Sequence, residues 1–240
     1  MKSLPIYDTR FLNIQTLLVW LIGISAVISL AGILIEPQKT WGHLLVCGFY
    51  FITITLGGTF FVALQYITKS GWSTAIRRIP EAMGKLLPIS AVLLFFILLG
   101  GLHQLFEWSH GAQGDSILEG KLPWLNAGAF FTRFVIYTIL WIVLTNILIQ
   151  NSRQQDLVNS IEWTNKNMKW SAIFLVVFGI SFSFASFDWI MSLDAHWFST
   201  IFGIYCFSGM FTACLALITI LAIVLKHLGP LKDLSLIHIS

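Results

Sequence analysis

The chain has 240 residues and a formal net charge of +3; 57% of its residues are apolar and only 10% are charged, against roughly 25% charged in an ordinary soluble domain. That composition excludes a water-soluble globular protein. The small positive surplus is accounted for by loops on one side of a membrane, so it implies no nucleic-acid partner.

Six apolar runs, near residues 12–35, 42–67, 86–103, 127–149, 170–187 and 197–225, are long enough for helices to cross a hydrocarbon core of about 30 Å. Backbone groups in lipid must satisfy one another, which runs of this length do as helices; a barrel needs short alternating segments. The expected fold class is all-α, a polytopic transmembrane helical bundle over residues 1–235. The opening "MKSLPIYDTR" precedes an apolar stretch too long for a signal peptide and without a small-x-small cleavage site before Glu36, so the first span is read as retained.

Span two contains Gly57-Gly58, where the helix could break. The following segment "TKSGWSTAIRRIPEAMGKLLP" (68–88) is basic, and its first part is expected to form a short helix at the surface, where Lys and Arg meet anionic headgroups. Beyond span three, His103, Glu107 and His110 are spaced i, i+4, i+7 and share one face if the helix continues past Gly100-Gly101. Such a face could hydrogen-bond a quinone carbonyl or relay protons, or it could simply decorate a helix end. The spacing is not that of a zinc motif, and no metal site is expected. In the loop 107–126, Gly, Asp and Pro favour turns, Trp108 and Trp124 suit a membrane–water boundary, and Asp115 and Glu119 read as solvated.

Span four carries Arg133 several residues inside its start, with Tyr137 and Trp141 following on the same face. An intramembrane charge turns toward protein, a partner charge or a water-filled cavity, or snorkels to the headgroups. If Arg133 is buried, its natural partner is Asp188, Asp194 or Glu107. In span five, Gly179/Ser183 and Ser181/Ala185 are small residues four apart that suit close helix packing. The connection to span six places Asp188, Asp194 and His196 in very apolar surroundings. Carboxylates and histidines so placed can pass protons, because burial and neighbouring charges move their pKa values. Cys47, Cys206 and Cys214 fall inside spans without a C-x-x-C pattern and read as packing residues. Facing histidine pairs suited to haem b do not occur.

Eleven of the fourteen basic residues (Lys2, Arg10, Lys69, Arg77, Arg78, Lys85, Arg153, Lys166, Lys169, Lys226 and Lys232) share the side of the N-terminus. Both termini are therefore expected to be cytoplasmic. The opposite side collects the acidic and histidine-bearing loops.

The stretch "SFDWIMSLDAHWFSTIFGIY" (186–205), together with "LNAGAFFTRFVIYTILW" (125–141) and "NSRQQD" (151–156), strongly resembles the second NrfD-like, polysulfide-reductase-type membrane subunit of bacterial alternative complex III. The likeness covers most of residues 12–233. It implies a subunit of a quinol:cytochrome c oxidoreductase in the respiratory chain of the bacterial inner membrane. Quinol would be the substrate of the complex. The partners implied are a homologous NrfD-like subunit, an iron–sulfur subunit and cytochrome c subunits; these would hold the iron–sulfur clusters and haem c, and this chain would hold no cofactor. The resemblance assigns this subunit a proton path and a scaffolding role rather than catalysis by itself. Asp188, Asp194, His196 and Arg133 match polar positions of the family segments, as do His103 and Glu107. The family continues through further spans where this chain passes from "LKDLS" to "LIHIS", so residues 236–240 are expected to be a foreign tail on a truncated product. Spans two to five could still close a four-helix unit. Two other function classes fit a six-span chain: a secondary transporter or channel, which would show broken helices or repeated halves, and a purely structural assembly subunit.

Overall fold

Long apolar stretches leave the backbone no partner but itself, and the chain answers with helices. The computed structural model describes residues 9–228 apart from 113 and 159, with side chains over 14–227. The tail at 236–240 lies outside the described residues. The helices are α1 (Thr9–Ile35), α2 (Pro37–Ile67), α3 (Arg78–Gly84), α4 (Leu87–Leu105), α5 (Ser116–Lys121), α6 (Ala127–Val158), α7 (Ile161–Trp189) and α8 (Phe202–Leu228). Short 3₁₀ turns lie at Gly71–Ala75, Glu107–His110 and Met191–Leu193. Among the described residues, six helical segments are long and apolar enough to span a membrane. The chain is an all-α, multi-pass membrane protein.

Prolines mark starts rather than breaks. Pro37 and Pro88 occupy the first turns of α2 and α4, where a missing N–H costs no helical hydrogen bond. Helices also outrun the apolar stretches. α6 carries "NSRQQD" as its last turns, and α7 begins at Ile161, with the Ser160 hydroxyl accepting from the Glu162 N–H. A Lys166–Glu162 pair at 3.1 Å supports that polar first turn.

α2, α4, α6 and α7 close around one core, and α8 packs on α2 and α7. Rings fill the centre: Phe134 and Trp141 both pack on Trp189, at 5.1 and 5.9 Å between centroids. α2 is the most enclosed span and α1 the least; none of the apolar window of α1 is buried. α2 runs unbroken through Gly57-Gly58. These glycines provide closeness instead: a Cβ on Gly58 would sit 2.6 Å from the Pro80 carbonyl oxygen, and one on Gly57 would sit 2.9 Å from Cys214 Cβ. α3 and α8 are thereby pressed against α2.

The segment after α2 is less superficial than its basic composition suggests. α3 turns Ile79, Pro80, Glu81, Met83 and Gly84 into the bundle. The small residues of α7 also divide their work. Ser181 and Ala185 face inward, Gly179 has open space beside it, and Ser183 makes its close approach to Gly203.

Candidate functional site

Arg133, Tyr137 and Trp141 recur at four-residue steps, so the helical period stacks them on one face of α6. α7 runs antiparallel to that face and presents Asp188 and, seven residues earlier, Ser181. The register brings Trp141 Nε1 to 2.8 Å from Ser181 Oγ and Arg133 onto Asp188. Arg133 Nε donates to Asp188 Oδ2 and Nη2 donates to Oδ1, both at 2.8 Å. The pair is two-pronged and enclosed: the arginine side chain is 12% exposed and the aspartate 1%.

Trp124, just before α6, completes the enclosure. Its indole N–H donates to Asp188 Oδ1 at 2.9 Å, its carbonyl accepts from Arg133 Nη1 at 2.9 Å, and the guanidinium lies 4.1 Å from its ring centroid. Tyr137 OH reaches Asp188 Oδ2 at a longer 3.4 Å. A carboxylate has about four lone-pair sites, and these four donors fill them. All the acceptor sites of Asp188 are thus engaged by donors inside the bundle.

The remaining residues singled out by sequence do not join that carboxylate. Asp194 Oδ1 accepts from the backbone N–H groups of His196 and Trp197, at 3.0 and 3.2 Å, and shapes the connection between α7 and α8. His196 pairs through Nε2 with Asp115, which also caps α5 by accepting from Ile117 and Leu118. That hydrogen bond from His196 is the main reason the Asp115 carboxyl is held below its ordinary pKa.

His103, Glu107 and His110 do not form a helical stripe. α4 passes Gly100-Gly101 but stops at Leu105, and Phe106 is extended. The physical reason is aromatic: Phe106 and Trp108, both nearly inaccessible, turn inward and pack against each other and Phe130. Trp108 is consequently a plug in the bundle end rather than a boundary residue, its indole donating to the Ser192 carbonyl at 3.2 Å. His110 Nε2 folds back to the His103 carbonyl oxygen at 2.8 Å. His103, Glu107 and His110 line one cavity of about 380 Å³. Asp188 and Asp194 line another, of about 330 Å³, with Trp124, Trp197 and Phe198.

At the opposite, basic end, Arg78 bridges Glu81 and Asp156 and lies 3.4 Å from Ser152 Oγ. Glu81 is only 4% exposed. Sequence reading passed over it as part of a basic surface segment. The available signal was the Arg-x-x-Glu spacing of a helical ion pair, followed at once by apolar residues. Trp124 was likewise read as a boundary residue, although a ring nine residues before an intramembrane arginine is within reach of its guanidinium.

The sequence matches no family model and no curated protein. The likeness to NrfD-like subunits therefore rests on the residue pattern alone.

Proposed function

We propose that this chain is a membrane subunit of a quinol-oxidising respiratory complex, contributing a scaffold and a proton path that ends at the Arg133–Asp188 pair. The observation that carries the reading is the polar stripe along α6. Arg133, Tyr137, Thr145 and Ser152 lie on its inward face, with Trp141, a donor only, between them, and the nineteen helical steps from Arg133 to Ser152 cover about 28 Å. That is close to the thickness of a hydrocarbon core. Each end of the stripe meets a charged cluster: Arg133 with Asp188 at one, Ser152 near the Arg78 bridge to Glu81 and Asp156 at the other. Ionisable groups in a membrane bundle mark ion or proton routes as a rule. The apolar cavity at Asp188 is of a size that admits a flat ring, which suits a quinone-facing pocket.

The test uses the intact complex. Asp188→Asn and His196→Ala are expected to lower quinol-dependent turnover or proton coupling while the subunits still co-purify with haem c and iron–sulfur chains. Unchanged turnover and coupling in an assembled complex would leave scaffolding as the whole role. Recovery as a lone chain that takes up a solute would remove the redox reading.

The scaffold reading has an observation of its own. Polar pairs join helix to helix along the bundle: Thr55 with Ser90 at 2.9 Å, Thr59 with Thr145 at 3.1 Å, and Trp141 with Ser181. In lipid such pairs hold helices together. A transporter reading has less support, since α2, α6 and α7 cross without the mid-membrane break on which transporter sites are built.

A further inference from the structure

At the basic end, a cavity of about 370 Å³ opens between the close of α2 and the start of α7. We propose that it is a binding site for a phosphate-bearing anion, such as the headgroup of an anionic phospholipid. Lys69, Ser70, Thr74, Arg77, Gln155 and Asn165 contribute to its lining, and no carboxylate does.

The charges around it separate a built site from a generally basic surface. Arg78 is neutralised by Glu81 and Asp156, and Lys166 by Glu162. Lys69 and Arg77, which line the cavity, make no ion pair among the described residues. Arg77 is also positioned in advance. Its Nη1 donates to Tyr66 OH at 3.0 Å, its Nη2 to Thr74 Oγ1 at 3.2 Å, and its guanidinium lies 4.7 Å from the Tyr66 ring centroid. A guanidinium fixed in this way loses little freedom on meeting a phosphate. On the facing wall, Gln155 Nε2 donates to Thr164 Oγ1 at 2.7 Å.

The position of Lys69 is an independent sign. α2 ends in a reversal in which Ser70 N–H donates to the Gln65 carbonyl and Lys69 N–H to that of Tyr66. Such a reversal puts its penultimate residue in the left-handed region, where glycine is unstrained. Here that residue is Lys69, at φ 52°. A lysine thus stands where the backbone favours glycine, and it lines the cavity.

The experiment is lipid retention by the full-length chain in uncharged detergent, read by native mass spectrometry. Phosphatidylglycerol is offered against phosphatidylcholine of the same acyl composition, and inorganic phosphate is titrated separately. Preferential retention of phosphatidylglycerol is expected, falling about fivefold for each of Arg77→Gln and Lys69→Gly, the effect of one basic group near an anionic headgroup. Lys69→Gly removes the charge while relaxing the backbone, so its loss of binding cannot be assigned to misfolding. Lys169→Gln, at the same end but outside the cavity, should change nothing. Phosphate binding that Arg77→Gln abolishes, without lipid preference, would keep the anion site and make its ligand a soluble phosphate. Equal retention of both lipids with no phosphate binding would overturn the proposal, as would a Lys169→Gln loss as large as that of Arg77→Gln.

Discussion

Arg133 and Asp188, 55 residues apart in sequence, meet through two parallel 2.8 Å hydrogen bonds inside the bundle. Neither charge is left to lipid. The arginine is covered by the Trp124 ring, and the aspartate is filled by donors from three residues. The pair is therefore a lock between α6 and α7 before it is anything else.

Breaking the lock from one side strands a buried charge. Arg133→Ala is expected to cost about 3–5 kcal/mol of stability, whereas the paired replacement Arg133→Met/Asp188→Leu should be roughly neutral. Unfolding of the purified protein in a detergent titration measures both. A double variant as unstable as the single one would mean that the pair supplies net stability rather than mutual compensation.

The two remaining donors to Asp188 should rank by geometry. Trp124→Phe keeps a ring under the guanidinium but removes a 2.9 Å bond to a charged acceptor, at about 1.5–3 kcal/mol. Tyr137→Phe removes a 3.4 Å contact and should cost less than about 1 kcal/mol. The same titration decides the order, and the reverse order would show that Tyr137 is the principal support.

Close helix approach gives a contrasting pair of glycines. Gly58→Ala drives a methyl into the Pro80 carbonyl at 2.6 Å and Met83 Cβ at 2.9 Å, so α3 must move away from α2 at about 1–3 kcal/mol. Gly179→Ala enters open space and should be neutral, or stabilising by up to about 1 kcal/mol through helix propensity. Thermal unfolding of the two variants in parallel tests this.

Acid should loosen one loop contact in a defined window. Asp115 has a folded pKa below its ordinary value of 3.8, first because His196 hydrogen-bonds to it. A depressed carboxylate stabilises fully above the unfolded value and loses that contribution as pH falls through the folded one. Hydrogen exchange over residues 114–121 and 194–198, expressed relative to the intrinsic amide rate at each pH, is thus expected to stay constant down to about pH 4 and to accelerate below it. In Asp115→Asn the acceleration should vanish; its persistence would place the titrating group elsewhere.

Much of this was legible in residue order, and the failures have physical causes. Hydropathy marks where lipid is, not where a helix ends, so α7 begins at Ile161 rather than near 170: a capping serine and an ion pair carry the helix beyond the apolar stretch. His103, Glu107 and His110 had helical spacing, but the spacing has force only if the helix persists, and burial of Phe106 and Trp108 ended it. Glu81 was hidden among basic neighbours because net charge along a segment does not reveal which side chain the fold turns inward.

By itself the sequence determined that the chain lives in a membrane, carries six stretches long and apolar enough to cross it as helices, and gathers eleven of its fourteen basic residues in alternate loops. Those properties follow from transfer free energies and helix length, which are sums over local residues. For Arg133 it left two outlets, the headgroups or, if buried, one of three carboxylates. Only the tertiary structure chose Asp188, because the choice depends on the register of α6 against α7 and on the inward plug of aromatic side chains. It likewise set the Asp194 carboxylate on the backbone N–H groups of the loop and turned the His196 ring to Asp115.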